Sequence, residues 1–171
     1  MAYNAWSVTY GEQPSATKWN YLGTNDAFFE DFILGTNGVH AAWTSFTPSW
    51  TNLTAGNGTN TGAYVKYGTT VFFRTKFTFG STSSMGTNPS FAYPVTKNAA
   101  YGSNLDPIGV ATGRISGNYY DLGLTDRTGI SPVARATAGA YASFNDVTAT
   151  APATWANGDL LITQGFYQAT S

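Results

Sequence analysis

The chain has 171 residues, of which 10 % are charged and 16 % aromatic, with a formal net charge of −1 and no cysteine. A typical soluble protein has about 25 % charged residues, and proteins that bind nucleic acid concentrate Lys and Arg on one surface. The composition therefore argues against a nucleic-acid partner and against intrinsic disorder, and it excludes disulfides and cysteine-based metal sites.

The polar residues are mainly Thr, Ser, Asn and Gly, which together with many aromatic residues are typical of strands joined by tight turns. We therefore predict a mainly β protein. No segment approaches the roughly 18 apolar residues of a membrane span. Residues 1–10 lack the basic region and the apolar core of a secretory signal. These features predict a protein that is made in the cytoplasm and does not insert into a membrane.

A helical pattern occupies residues 15–34. Ser15 is a suitable N-cap, and Gly35 is a suitable residue for the helix end. Five residues in this segment, four of them apolar, follow the 3, 4, 3, 4 spacing of a coiled-coil seam. The seam consists of Trp19, Leu22, Asp26, Phe29 and Ile33.

An isolated helix about 30 Å long is marginal in water, because its apolar stripe stays exposed. The helix must pack either on the β domain of its own chain or on the same helix of other chains. We favour the second arrangement, a trimeric coiled-coil-like bundle. Glycines in residues 35–38 form a joint, which divides the chain into an attachment and trimerisation segment, residues 1–38, and a β head domain, residues 39–171.

Strand patterns begin after Trp43. Thr70–Phe79 alternates apolar and polar residues, which predicts a half-buried strand, and Tyr64–Tyr67 precedes it across a two-residue turn with Gly first. The other predicted strands are Ile108–Ile115 and Tyr119–Leu124, joined by residues 116–118, then Leu160–Tyr167, and shorter segments at 42–46, 90–95 and 133–137. Strands separated by Gly, Asn, Ser and Pro predict an antiparallel β-sandwich of the jelly-roll or Greek-key type.

The N-terminal segment contains a Trp, then Gly-Glu-Gln-Pro-Ser-Ala, and then the predicted helix. It resembles the opening segment of bacteriophage tail-fibre and minor structural proteins. The residues that carry this resemblance are Trp6, Gly11, Glu12, Pro14, Ser15, Ala16, Asn20 and Leu22. The remainder is similar to the β domain of such proteins at residues 43–50, 56–59, 64–80 and 152–159.

The resemblance implies a homotrimeric appendage of the virion, mounted on the tail or capsid. It implies that the N-terminal segment binds other virion structural proteins and that the head attaches the particle to the host surface. Exposed aromatic residues beside Asn and Asp suit sugar rings and hydroxyl groups, so we expect a host glycan as receptor. The candidate contacts are Tyr101, Asn104, Asn118, Tyr119 and Asp121. By contrast, Trp43, Trp50 and Trp155 are predicted to lie in the core or at a subunit interface.

Catalytic patterns are weak in this sequence. The sequence contains no recognisable motif for a nucleophile that the single histidine, His40, could activate as a general base. We therefore interpret His40 as structural or solvent-exposed. Glycoside hydrolysis needs two carboxyl groups. The candidates are Glu12, Asp106, Asp121, Asp126, Asp146 and Asp159, with Asp121 beside Tyr119 and Tyr120 the most suitable. We predict that the protein is not an enzyme.

Metal and cofactor motifs are also missing. Residues 104–106 and 118–121 supply oxygen ligands without EF-hand-like spacing, so we expect neither a metal nor a cofactor. Arg74 and Lys76 beside Phe72 are interpreted as a solvated sheet face rather than a nucleic-acid platform. Two other functions stay open, namely a purely architectural head fibre, decoration or collar component, and a small glycan hydrolase or carbohydrate-binding module.

A measurement of the native mass tests whether the predicted seam forms a trimer. Light scattering is expected to give three copies of the chain, and Phe29→Asp, which places a charge in the seam, is expected to give monomers or insoluble protein. A well-folded wild-type monomer would contradict the trimeric bundle.

Overall fold

A computed structural model describes residues 15–17, 19–20, 42–100, 106–138 and 141–170. The chain divides into two compact units, residues 1–42 and 43–171. In the first unit Ala16, Thr17, Trp19 and Asn20 are helical, and the backbone N–H of Trp19 donates to the carbonyl of Ser15 at 3.0 Å. This single turn is too short to confirm the predicted helix over 15–34. The other seam residues, Leu22, Asp26, Phe29 and Ile33, lie outside the described residues.

The described part of the second unit consists of strands, turns and loops. Its strands are β1 Thr44–Phe46, β2 Trp50–Thr54, β3 Thr59–Tyr67, β4 Thr70–Thr78, β5 Ser84–Phe91, β6 Pro107–Ile115, β7 Asn118–Asp126, β8 Ile130–Ala138, β9 Tyr141–Asp146 and β10 Leu160–Gln168. Within the described residues, no helix has the length and hydropathy needed to cross a membrane.

All strands belong to one antiparallel sheet, ordered β1-β3-β4-β10-β6-β7-β8-β5-β2, with β9 paired to β8. The prediction of a mainly β, antiparallel fold is confirmed. The sheet is continuous and curled, whereas a sandwich has two separate sheets. Continuity depends on β8, which pairs with β7 along one edge and with β9 and β5 along the other.

The two predicted hairpins are present. Tyr67 pairs with Thr70 across a turn in which Gly68 has a φ of +58°, as a turn with Gly first requires. In the second hairpin Ile115 pairs with Asn118, so the turn has two residues rather than the three predicted. Ser116 and Gly117 both have positive φ, 49° and 82°, as a type I′ turn requires.

Four longer strand segments were not predicted: β2, the first part of β3, the first part of β5, and β9. In β2 and β5 the reason is local. Asn52 lies at a register shift with a φ of 58°, and Asn88, with a φ of 57°, precedes Pro89. Asn and Pro are typical of turns, so the sequence pattern there predicts loops. The predicted strand at 90–95 ends at Phe91, because the chain then leaves the sheet.

The core lies on the inner face of the curled sheet. As predicted for β4, Val71, Phe73 and Phe77 are buried, while Phe72, Arg74 and Lys76 point outward and are exposed. Side chains from other strands complete the core, among them Phe91, Leu122, Leu124, Ile130 and Leu161. Burial of these side chains supplies the main stabilisation, at roughly 1.5–3 kcal/mol each.

The three tryptophans predicted to lie in the core or an interface differ in burial. Trp50 and Trp155 pack against the core, and their indole N–H groups donate to the side chain of Asn60 and to the carbonyl of Thr148 at 3.2 and 3.1 Å. Trp43 is 48 % exposed, so it does not lie in the core of the head, and its place at a subunit interface stays a prediction. It precedes β1, which ends the sheet formed by the described strands.

Asp159 joins three segments of the head. Its carboxylate accepts the backbone N–H of Ser116 at 2.8 Å and that of Ala156 at 2.7 Å. Its carbonyl accepts the backbone N–H of Phe79 at 2.9 Å. This buried carboxylate therefore fixes the β6–β7 turn against the start of β10, which is a structural role.

Asp159→Ala is expected to lower the free energy of unfolding by about 2–4 kcal/mol, because two backbone N–H donors lose a charged acceptor whose side chain is buried. Urea denaturation measures this loss. Asp121→Ala, which removes an exposed ion pair, is the control and should cost less than about 1 kcal/mol. Equal effects of the two substitutions would contradict the structural role of Asp159.

Candidate functional site

The outer face of strands β3, β4, β10 and β6 carries exposed aromatic side chains. Phe72 on β4 and Phe166 on β10 are directly opposite each other in the register, with ring centroids 5.9 Å apart. They are 41 % and 58 % exposed. Tyr67 packs edge-on against Phe72 at 6.2 Å. The three rings form a continuous aromatic surface at one end of this face.

A second row lies next to these rings. The register places Arg74, Gln164 and Val110 side by side on β4, β10 and β6. The guanidinium of Arg74 lies over the ring of Trp43, 4.9 Å from its centroid. Such a cation–π contact fixes both side chains. The row therefore combines an apolar ring with the hydrogen-bonding groups of Arg74 and Gln164.

Together these residues line an open groove of about 620 Å³, called here the aromatic groove. Its lining includes Trp43, Tyr67, Phe72, Arg74, Val110, Gln164 and Phe166. A second groove of about 540 Å³, the polar groove, adjoins it and is lined by Thr61, Lys76 and Ile162 among others. Arg74 and Gln164 line both grooves and so form the boundary between them.

The backbone of Gly109 and Gly165 forms part of the aromatic groove. These residues are register partners on β6 and β10. A Cβ added to Gly165 would overlap the carbonyl oxygen of Ile108, and one added to Gly109 would overlap that of Gln164. Glycine at both positions therefore permits the close approach of the two strands under the groove.

Charge is distributed unevenly over the described residues. Asp121 pairs with Arg135 at 3.1 Å, and Asp146 pairs with Arg127 at 2.7 Å. Arg74, Lys76 and Arg114, on the outer face of β4 and β6, form no ion pair with any carboxylate of the described residues. The grooves therefore lie on a face whose positive charge is not paired with any carboxylate of the described residues.

A buried polar cluster lies at one end of the sheet. Asp126 is fully buried, accepts the hydroxyl of Tyr93 at 2.6 Å and forms an ion pair with Lys97. Burial raises the pKa of Tyr93, and the hydrogen bond to Asp126 raises it further. Burial also raises the pKa of Tyr167 to about 12. Its hydroxyl donates to the carbonyl of Val95 and accepts the N–H of the same residue, at 2.7 and 2.9 Å.

Both tyrosine hydroxyls therefore stay protonated at neutral pH, and their protons are held in these hydrogen bonds. They fasten the segment after β5 to β7 and β10. The cluster holds this segment in place, which is a structural role.

Of the predicted glycan contacts, those that the structure describes line neither groove. Tyr119 is 74 % exposed, and Asp121 lies two residues further along the same outer face of β7. Asn118 is exposed at the β6–β7 turn and pairs with Ile115 in the backbone register. Tyr101 and Asn104 lie outside the described residues. The structure thus brings Tyr119 and Asp121 together on one face.

The residues of the aromatic groove were not predicted as a site. A signal was present, because Phe72 stands at an outward position of β4, and Ile162 and Phe166 stand at outward positions of β10. Apolar residues on the polar face of a half-buried strand indicate an exposed patch. Combining them into one groove required the pairing of β4 with β10, which local sequence does not specify.

The other candidate catalytic residues make different kinds of contact. Among the described carboxylates, Asp126 and Asp159 are buried in structural contacts, and Asp121 and Asp146 are in ion pairs. Asp106 contributes its carbonyl to the N–H of Asp126 at 2.9 Å. Glu12 and His40 lie outside the described residues. No group of three or more potential metal ligands occurs in the described ranges.

Comparisons with protein-family models, with curated proteins and with solved structures gave no match to this chain. The resemblance to bacteriophage fibre proteins stays a prediction from the sequence.

Gly165→Ala is expected to lower the free energy of unfolding by about 1–3 kcal/mol, because the added methyl group forces β10 away from β6. Thermal or urea denaturation measures this loss. The control is Thr112→Ala, on the outer face of β6, which should change stability by less than about 0.5 kcal/mol. Gly117→Ala is unsuitable as a control, because Gly117 has a positive φ of 82°. An unchanged stability of Gly165→Ala would contradict the close approach of the two strands.

Proposed function

We propose that this chain is a non-catalytic structural protein of a virion, a short homotrimeric fibre or tail appendage that attaches the particle to host-surface glycans. Its N-terminal segment holds the chains together and binds other virion proteins. Its head binds the glycan in the aromatic groove. The observation that carries the proposal is that three exposed aromatic rings line the aromatic groove together with the polar groups of Arg74 and Gln164. The rings are those of Trp43, Phe72 and Phe166.

Sugar rings have apolar faces and a periphery of hydroxyl groups. The faces stack on aromatic rings, while hydroxyl groups exchange hydrogen bonds with planar amide and guanidinium groups. The aromatic groove offers both kinds of contact within about 7 Å, because Phe72 and Arg74 are alternate residues of β4. Because it is open at its sides, it suits a segment of a longer chain better than a small enclosed ligand.

The groove is also preorganised. Its side chains project from paired strands, and the Arg74 contact holds Trp43 in place. A site built on a sheet loses less conformational entropy on binding than a site built on loops. Each head still binds weakly if only a few rings stack, and a trimer compensates because linked sites raise the apparent affinity.

The purely architectural alternative uses the same residues differently. An exposed apolar patch also suits a contact with another protein subunit. Particles that lack this protein separate the two roles, because loss of adsorption to host cells supports attachment and unchanged adsorption supports architecture. The hydrolase alternative is weaker, since Asp121 forms an exposed ion pair with Arg135 on an open surface where water is not excluded.

Phe166→Ala is expected to weaken glycan binding by about tenfold or more, since losing one stacking partner removes at least about 1.4 kcal/mol. Binding is measured by glycan array and then by calorimetry with the glycans that are retained. The matched control is Phe144→Ala, which removes an aromatic ring of similar exposure, 56 %, from β9.

The two variants should unfold at similar temperatures, because both side chains are on the surface. Equal binding by Phe166→Ala and Phe144→Ala would contradict the assignment of the site to the aromatic groove. The absence of glycan binding by the wild-type protein would contradict the proposed receptor class.

A further inference from the structure

We infer that the glycan bound on this face is anionic, with carboxylate or phosphate groups that contact Arg74 and Lys76. This inference rests on the proposed function, because it concerns the charge of the same ligand. It follows from the position of the cations relative to the stacking rings and from the absence of acidic residues in the described strands β3, β4, β10 and β6.

The cations form a path that leads away from the aromatic rings. Phe72, Arg74 and Lys76 are alternate residues of β4, so their side chains share one face at intervals of about 7 Å. Arg114 is further along, on β6, where it pairs with Leu160 of β10. A sugar chain that stacks on Phe72 and Phe166 and follows β4 therefore passes Arg74 and then Lys76.

Carboxylates of the described residues do not neutralise this path. Asp121 and Asp146 pair with arginines of β8 and of the β7–β8 turn, and Asp126 and Asp159 are buried. Asp106 precedes β6 and lines a separate cavity of about 260 Å³ together with Lys97 and Phe166. An anionic ligand thus meets attractive charge on the Arg74 side of the rings and an acidic residue on the opposite side.

The chemistry of Arg74 suits a carboxylate or a phosphate group. Its guanidinium lies over the Trp43 ring, and an arginine stacked in this way keeps N–H groups at its edge for two parallel hydrogen bonds. Lys76 adds a flexible point charge at the polar groove. Because the whole chain has a net charge of −1, the attraction is local to this face.

A nucleic acid also combines rings with anions, but it is the less favoured ligand. Its affinity grows with the number of phosphates neutralised, and each contact adds to the salt dependence. The outer face of the described β3, β4, β10 and β6 offers few cations, and the overall charge is slightly negative. Stacking with a small number of charge contacts fits an acidic polysaccharide better.

The experiment compares ligands that share a sugar ring and differ in charge. The full chain is titrated with oligogalacturonate, its methyl ester, a phosphorylated oligomannose, unmodified oligomannose and oligo(dT) of similar length. Titrations at two salt concentrations measure the electrostatic contribution. The variants are Lys76→Gln, whose side chain makes no contact that the fold requires, and the control Arg135→Gln, a cation of the same outer face that is already paired with Asp121.

At least one acidic glycan is expected to bind tenfold or more tightly than its neutral counterpart, with affinity that falls as salt rises. Lys76→Gln should lower the affinity for that acidic glycan about fivefold or more and leave the neutral counterpart nearly unchanged. Arg135→Gln should have no comparable effect. Preference for oligogalacturonate or for phosphorylated oligomannose identifies the anion as carboxylate or phosphate.

Equal binding of acidic and neutral glycans, lost in Phe166→Ala, would overturn the anionic ligand and leave the proposed function intact. Failure of every glycan to bind at millimolar concentration would overturn both. Binding of oligo(dT) as tightly as any acidic glycan would also overturn the inference and would indicate a nucleic acid as ligand.

Discussion

The pairing of β10 with β4 on one side and β6 on the other is the constraint on which the head depends. β10 is the last strand of the chain, yet it lies inside the sheet, where its backbone groups satisfy those of two strands that are distant in sequence. Without it, β4 and β6 would each present an unpaired edge beside the core. The same pairing buries Phe73, Phe77 and Leu161 on the inner face.

A register that fixes the inner face also fixes the outer one, because side chains alternate strictly along a strand. The register that buries Phe73 beside Gly165 places Phe72 opposite Phe166 and Arg74 opposite Gln164. The aromatic groove is therefore inseparable from the core beneath it. A shift of one residue in β10 would turn its core residues to the outer face. The same shift would remove Gln164 and Phe166 from the groove.

Local sequence determined much of the head and little of the site. The alternation in β4 predicted its inward and outward residues, and Gly68 predicted the turn that pairs it with β3. The strands that carry Asn at left-handed positions, β2 and β5, were missed because such residues also form loops. The groove was missed for a different reason. Phe72 and Phe166 become neighbours through long-range pairing, which no local pattern encodes.

Composition alone conceals the property that matters most for binding. A net charge of −1 and few charged residues suggest a neutral surface. In the described part of the head, however, Asp126 and Asp159 are buried and Asp121 is paired, while Arg74 and Lys76, beside the aromatic rings, form no ion pair with a described carboxylate. Folding therefore separates the charges of a nearly neutral chain. Because charged side chains are few elsewhere, even two cations give one face of the sheet a distinct electrostatic character, and a ligand with both rings and anions distinguishes that face from the rest of the surface.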